Sequence, residues 1–130
     1  NGDSYEGNWL KDTLQNPVKI QYKDGDKYEG EIEDDNYWKE GKGTMSFANG
    51  DVYEGEWLSD NQHRKGKYTW EKDNRVFEGL WKNGEMDGMG IMTYENGWCY
   101  QGRWRGNKKE EGRLFQKKER TSSKYDLRTV

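Results

Sequence analysis

One histidine, His63, and one cysteine, Cys99, bound the chemistry this chain can do. Nucleophilic catalysis needs a nucleophile held by a base, and acid–base hydrolysis needs paired carboxylates in a cleft. His63 falls in the stretch Asp60–Lys65, which reads as a loop, and it reads there as a surface residue. Cys99 stands between Trp98 and Tyr100 with no second cysteine or histidine to complete a metal set, and reads as structural. Glu31, Glu33, Asp34 and Asp35 could attract a cation, but their spacing is not the Asp-x-Asp-x-Asp-Gly of a calcium loop. Asp24-Gly25-Asp26 reads as a hairpin turn, and Gly41-Lys42-Gly43 and Gly88-Met89-Gly90 lack the rest of any phosphate-cradling motif. The sequence therefore predicts no catalytic residue, no metal and no cofactor. It points to a non-enzymatic protein that binds.

The composition says what scaffold could position a binding surface. Leu, Ile, Val and Phe number 16 of 130 residues, and 36% of the chain is charged. That aliphatic share lies below the roughly 20% at which chains usually fail to fold. The apolar weight sits instead in 7 Trp and 9 Tyr. Each large ring removes about 150–250 Å² from water when buried, and disordered chains are poor in such rings. Seventeen glycines with a single proline predict a chain that turns often and keeps its backbone donors, as a hairpin-rich sheet must.

One tripeptide recurs, as Tyr-Glu-Gly at 5–7, 28–30 and 53–55, Phe-Glu-Gly at 77–79 and Tyr-Gln-Gly at 100–102. Two residues after each glycine stands Trp9, Ile32, Trp57, Trp81 or Trp104. Aromatic, glycine and tryptophan at i, i+2 and i+4 share one face of an extended chain, while the residues between them face the other way. This is the period of a strand with one wet face. Asn1-Gly2, Asp24-Gly25, Asn49-Gly50 and Asn96-Gly97 precede four of the motifs and predict tight turns with positive φ. A second strand follows in each unit. Gly43 and Gly90 precede Phe47 and Tyr94 by four residues, Gly66 precedes Trp70, and Val18 in the first unit precedes Tyr22.

These residues resemble the MORN family (membrane occupation and recognition nexus), whose unit runs roughly Tyr-x-Gly-x-Trp-x-x-Gly-x-x-x-Gly-x-Gly. The stretch from Phe77 to Gly84, continued by Gly88-Met89-Gly90, follows that pattern almost throughout. Unit 1 departs with Asn16-Pro17-Val18, unit 2 with Ile32 and a longer loop through Asp34–Lys39, and unit 3 with Arg64 and Arg75 at glycine places. The resemblance covers residues 1–115, as units of about 1–25, 26–50, 51–75, 76–97 and 98–115. It implies an all-β fold: an elongated single-layer antiparallel sheet of tandem hairpins, twisted and curled so that its aromatics line a shallow trough. Ten strands about 4.8 Å apart would make a rod of roughly 45–50 Å. Residues 116–130 carry no motif and read as a polar basic tail, expected to be disordered unless a partner orders it.

A single-layer sheet has no second layer to cover one whole face. The column Tyr28, Tyr53, Phe77 and Tyr100 with Trp57, Trp81 and Trp104 is therefore expected to stay partly open and to receive a partner helix or extended segment. On the opposite face Glu6, Glu29, Glu54, Glu78 and Gln101 form a second column. Like charges side by side destabilise unless cations interleave, and this column is the alternative place for a site. The resemblance implies a scaffold for other proteins of a larger assembly, cytoplasmic and cytoskeletal, in a cilium or flagellum, and sometimes a homodimer.

Attachment to anionic membrane lipid is the second reading, and a regulatory module of a larger enzyme the third. Charge weighs against the membrane, because residues 1–97 carry 12 Lys/Arg against 21 Asp/Glu and only residues 98–130, with ten against four, are basic. The same balance argues against nucleic acid. No apolar run approaches the roughly 18 residues of a membrane helix, and no signal peptide is visible. The lone cysteine leaves no internal disulfide, which fits a reducing compartment.

Overall fold

The computed structural model describes residues 2–34 and 36–117. Asp35 of the acidic run, and the tail from residue 118 onward, lie outside the described residues. Ten strands follow one another without a helix among the described residues: β1 (Ser4–Leu10), β2 (Thr13–Gln21), β3 (Lys27–Ile32), β4 (Lys39–Ser46), β5 (Val52–Leu58), β6 (Asn61–Thr69), β7 (Val76–Lys82), β8 (Glu85–Thr93), β9 (Trp98–Arg105) and β10 (Lys108–Gln116). They pair in chain order, all antiparallel, into one open sheet. The expected hairpin array is thus the fold. β10 runs one residue past the expected end of the array, and the Lys117 N–H bonds the Gly97 carbonyl beyond it. His63 lies within β6 rather than in a loop.

The turns differ from expectation in kind. Gly25, Gly50 and Gly97 do sit at φ of +95 to +103°. Each closes a three-residue loop, however, as in Phe47–Asp51, where the Gly50 N–H returns to the Phe47 carbonyl and the Phe47 N–H meets the Asp51 carbonyl. That is a type I turn followed by one left-handed residue, so a single glycine suffices. The two-residue turns lie inside the units, at Lys11-Asp12, Ser59-Asp60, Asn83-Gly84 and Gly106-Asn107, where both residues have positive φ. Asn, Asp and Gly tolerate that conformation, which explains most of these choices.

Every strand pair inside a unit from the second to the fourth carries a bulge just after its motif glycine, between Gly30 and Ile32, Gly55 and Trp57, and Gly79 and Trp81. In units 2 and 3 the bulged carbonyl is satisfied from within: the Tyr28 hydroxyl donates to the Glu31 carbonyl at 2.7 Å and the Tyr53 hydroxyl to the Glu56 carbonyl at 3.0 Å. Burial pushes both hydroxyls above the ordinary tyrosine range. In unit 1, where Asn16-Pro17-Val18 replaces Gly-x-Gly, the Asn16 side-chain amide pairs with both the N–H and the carbonyl of Ile32.

The register brings eight glycines into one row across eight strands, running Gly30, Gly43, Gly55, Gly66, Gly79, Gly90, Gly102 and Gly112. Their missing side chains are what the rings occupy. A Cβ on Gly43 or Gly66 would run into the ring of Tyr28 or Tyr53, which lies over it. Above this row Tyr28, Trp57, Tyr53, Trp81, Phe77, Trp104 and Tyr100 meet in succession, with centroids 5.0–5.6 Å apart and planes crossing at 78–88°. Edge-to-face contact of this kind adds about 0.5–1.5 kcal/mol per pair beyond area burial. Each tryptophan bridges its own unit's aromatic and that of the unit before.

Candidate functional site

The aromatic column is not an open trough. Tyr53 and Phe77 are 0% exposed and Trp57 and Trp81 5%, with Tyr28 and Trp104 as deeply placed and Tyr100 partly buried. The expectation failed because a second layer is unnecessary when rings lie flat on glycines and plug one another edge to face. Tyr22, Phe47, Trp70 and Tyr94 pack against the margin and help to close it. The Trp57 and Trp81 indoles even satisfy their N–H groups internally, donating at 3.1 Å to the Gly43 and Gly66 carbonyls. The Trp104 Nε1 is buried without an acceptor among the described residues. The seven rings that the sequence offered as a binding surface present little area to a partner.

The surface that could receive one lies on the opposite face. There a groove of about 800 Å³ follows the backbone of the glycine row over units 2 to 4. It shares Thr44 with a concavity of about 330 Å³ over units 1 and 2 and Met89 with another of about 510 Å³ over units 4 and 5. The register explains its lining. Side by side across the sheet run Glu6, Lys19, Glu29, Thr44, Glu54, Lys67, Glu78, Ile91, Gln101 and Arg113. Lys19 and Lys67 each stand between two glutamates of the motif column, the arrangement under which such a column stabilises a sheet. Leu80 and Met89, 37% and 52% exposed, add an apolar patch to the groove. The arrangement can hold a segment that offers charges of both signs around one apolar contact.

Staples on both long margins fix the groove's shape. On one margin the carboxylates of Asp3, Asp26 and Asp51, at the start of units 1 to 3, accept the backbone N–H of Lys23, Ala48 and Glu71 in the turn that closes the same unit. Burial alone would raise the Asp51 carboxyl, but the Tyr68 hydroxyl at 2.7 Å, the Glu71 N–H and Asn49 outweigh it and hold it below the usual range. The recurrence of Asp two residues before the motif aromatic was a visible signal for these staples. On the other margin the turn residues Asp60, Gly84 and Asn107 donate their N–H groups to the carbonyls of Lys39, Gln62 and Met86 in the preceding unit. Lys39 is buried there, with its Nζ 2.8 Å from an Asp60 oxygen and 5.1–5.9 Å from the ring centres of Trp57, Tyr22 and Tyr28.

The residues considered first for chemistry stay apart. His63 is on β6, and the buried Cys99 thiol sits 3.7 Å from the Thr93 hydroxyl. No group of three His, Cys, Asp or Glu side chains that could hold a metal forms among the described residues. No curated protein matches the chain as a relative. The MORN repeat model matches residues 28–52, 53–75, 77–99 and 100–110, while the first hairpin falls outside the matched segments. Proteins of this family use the repeat as a binding module toward proteins or membranes, rather than as an enzyme. By its four matched segments and its row of hairpins, the chain belongs to the MORN repeat family.

Proposed function

We propose that this array is a scaffolding module that holds a helix or extended segment of another protein in the groove of its glutamate–lysine face. The observation that carries the reading is the continuous groove itself, rigidly stapled, lined by alternating Glu54, Lys67 and Glu78 and floored at one place by Leu80 and Met89. Mixed charge sets register and orientation of a bound segment, and the apolar patch supplies affinity. The setting, a cytoskeletal, ciliary or flagellar assembly, rests on family resemblance alone.

Membrane attachment is the competing reading. A surface that binds anionic lipid presents clustered Lys and Arg, and here glutamates interrupt them. The test places a photo-crosslinking residue at Thr44 or Met89 in the groove, and at Trp70 on the aromatic side as control, in cells that make the protein. Groove positions should crosslink to one protein, and Glu54→Lys with Glu78→Lys should abolish the adduct. Flotation of the purified chain with phosphatidylserine vesicles at physiological salt, with no protein adduct from the groove, would overturn the proposal.

A further inference from the structure

Four side chains of the groove face stand in one line across four neighbouring strands. Pairing register sets Glu54 of β5 beside Lys67 of β6, Lys67 beside Glu78 of β7, and Glu78 beside Ile91 of β8. Neighbouring strands lie about 4.8 Å apart, so the line offers a negative, a positive, a negative and an apolar group at that step. Glu54, Lys67 and Glu78 are exposed and Ile91 is half-buried. Neighbours in the line carry opposite signs, yet none of the three charged groups closes an ion pair among the described residues. The ion pairs there lie elsewhere, at Lys39–Asp60, Arg64–Glu56, Arg75–Asp73 and Arg105–Glu110. Glu54, Lys67 and Glu78 instead line the groove, where a bound segment can answer each in turn. Leu80 stands two residues beyond Glu78 on β7, about 6.6 Å to one side of the line, and Met89 lines the groove on β8.

That step decides which kind of segment fits. An extended strand laid along the line turns every second residue toward it, at about 6.6 Å, and is about 3.6 Å out of step by Glu78. A polyproline helix turns every third residue toward it, at about 9.3 Å, and leaves Lys67 unanswered. An α-helix presents residues i, i+3, i+7 and i+10 along one side, the later three about 4.5, 10.5 and 15 Å from the first. The line asks for about 4.8, 9.6 and 14.4 Å. A helix about 10–12 Å across also covers Leu80 and Met89 beside the line. On the scaffold reading above, we infer that the groove takes an amphipathic α-helix of another protein. It carries Lys or Arg at i, Asp or Glu at i+3, Lys or Arg at i+7 and an apolar residue at i+10. Its remaining apolar side chains turn toward Leu80 and Met89.

Fluorescence anisotropy with the 130-residue chain and three designed alanine-based helical peptides, each about 20 residues long, tests this. The first carries Lys, Glu, Lys and Leu at i, i+3, i+7 and i+10. The second exchanges the signs to Glu, Lys and Glu. The third keeps the first one's composition but spreads its charges around the helix. The first should bind about tenfold or more tighter than either of the others. The chain variant Glu54→Lys with Lys67→Glu and Glu78→Lys keeps the alternation and should invert the preference, taking the sign-exchanged peptide the tighter. Leu80→Ser with Met89→Ser should weaken the first peptide about tenfold or more. Circular dichroism of each variant separates a lost contact from a lost fold. Equal binding of the first and third peptides overturns the inference, as does a preference that the sign-exchanged chain fails to invert. If the groove still yields a protein adduct in cells, that result strikes the helix alone and leaves the scaffold reading standing. Vesicle flotation with no protein adduct strikes the scaffold reading and the helix with it.

Discussion

Trp9 and Trp81 occupy the same place in the same motif, four residues after the leading aromatic, and have opposite fates. Trp81 lies between Tyr53 and Phe77, bonds the Gly66 carbonyl and is 5% exposed; Trp9 is 54% exposed. The comparison between the first unit and the fourth teaches that a repeat does not own its core. What is buried in each unit is decided by whether another unit stands before it, as expected for an array whose stability sums nearest-neighbour interfaces.

The largest effect should come from cutting that difference directly. Trp81→Ala removes a buried indole and its hydrogen bond and should lower stability by about 4 kcal/mol, whereas Trp9→Ala should change the dilute chain by about 0.5 kcal/mol or less. Chemical denaturation of both checks it, and similar losses would break the comparison. A smaller gap is expected at the glycines. Gly66→Ala drives a methyl group into the Tyr53 ring, which has no room to move, and should cost about 3 kcal/mol. At Gly7 the nearest atom to a new Cβ is the Leu14 Cδ1 at 3.0 Å, the end of a flexible side chain, and Gly7→Ala should cost about 1 kcal/mol or less.

The smallest effect concerns the staple at Asp51. Its folded carboxyl titrates below the unfolded value, so the ionised form favours folding at neutral pH, and that contribution is lost as pH falls below about 4 through the folded value. Asp51→Asn should therefore cost about 1 kcal/mol at neutral pH, and the gap to the parent should close in acid. Denaturation midpoints of both proteins across that range measure it. A gap independent of pH would assign the staple to geometry rather than charge.

The strands were legible because Tyr-Glu-Gly-x-Trp states a period of two, and glycine at a fixed place rules out a helix. Turn positions were legible from Asn49-Gly50 and its relatives, though not turn length, which depends on how the closing residues pair. Which face stays open was misread for a physical reason. Counting aliphatic residues assumes that a core needs two layers, while the ring of Tyr53 is sealed by the Gly66 backbone beneath it and indoles beside it. The groove was half visible. Glu54 and Glu78 could be seen as a column, but Lys67 takes its place between them through pairing register alone, which no spacing along one strand reports.

The bridging tryptophans also give the molecule a direction in time. A chain leaves the ribosome from its N-terminus, so Tyr28 emerges before the Trp57 that covers it, and Phe77 before Trp104. Each hairpin is finished by its successor, and the array sets like masonry laid one course at a time. A product released early after any complete unit would lack the next indole there, and its last aromatic would meet one tryptophan instead of two, as Tyr100 does among the described residues.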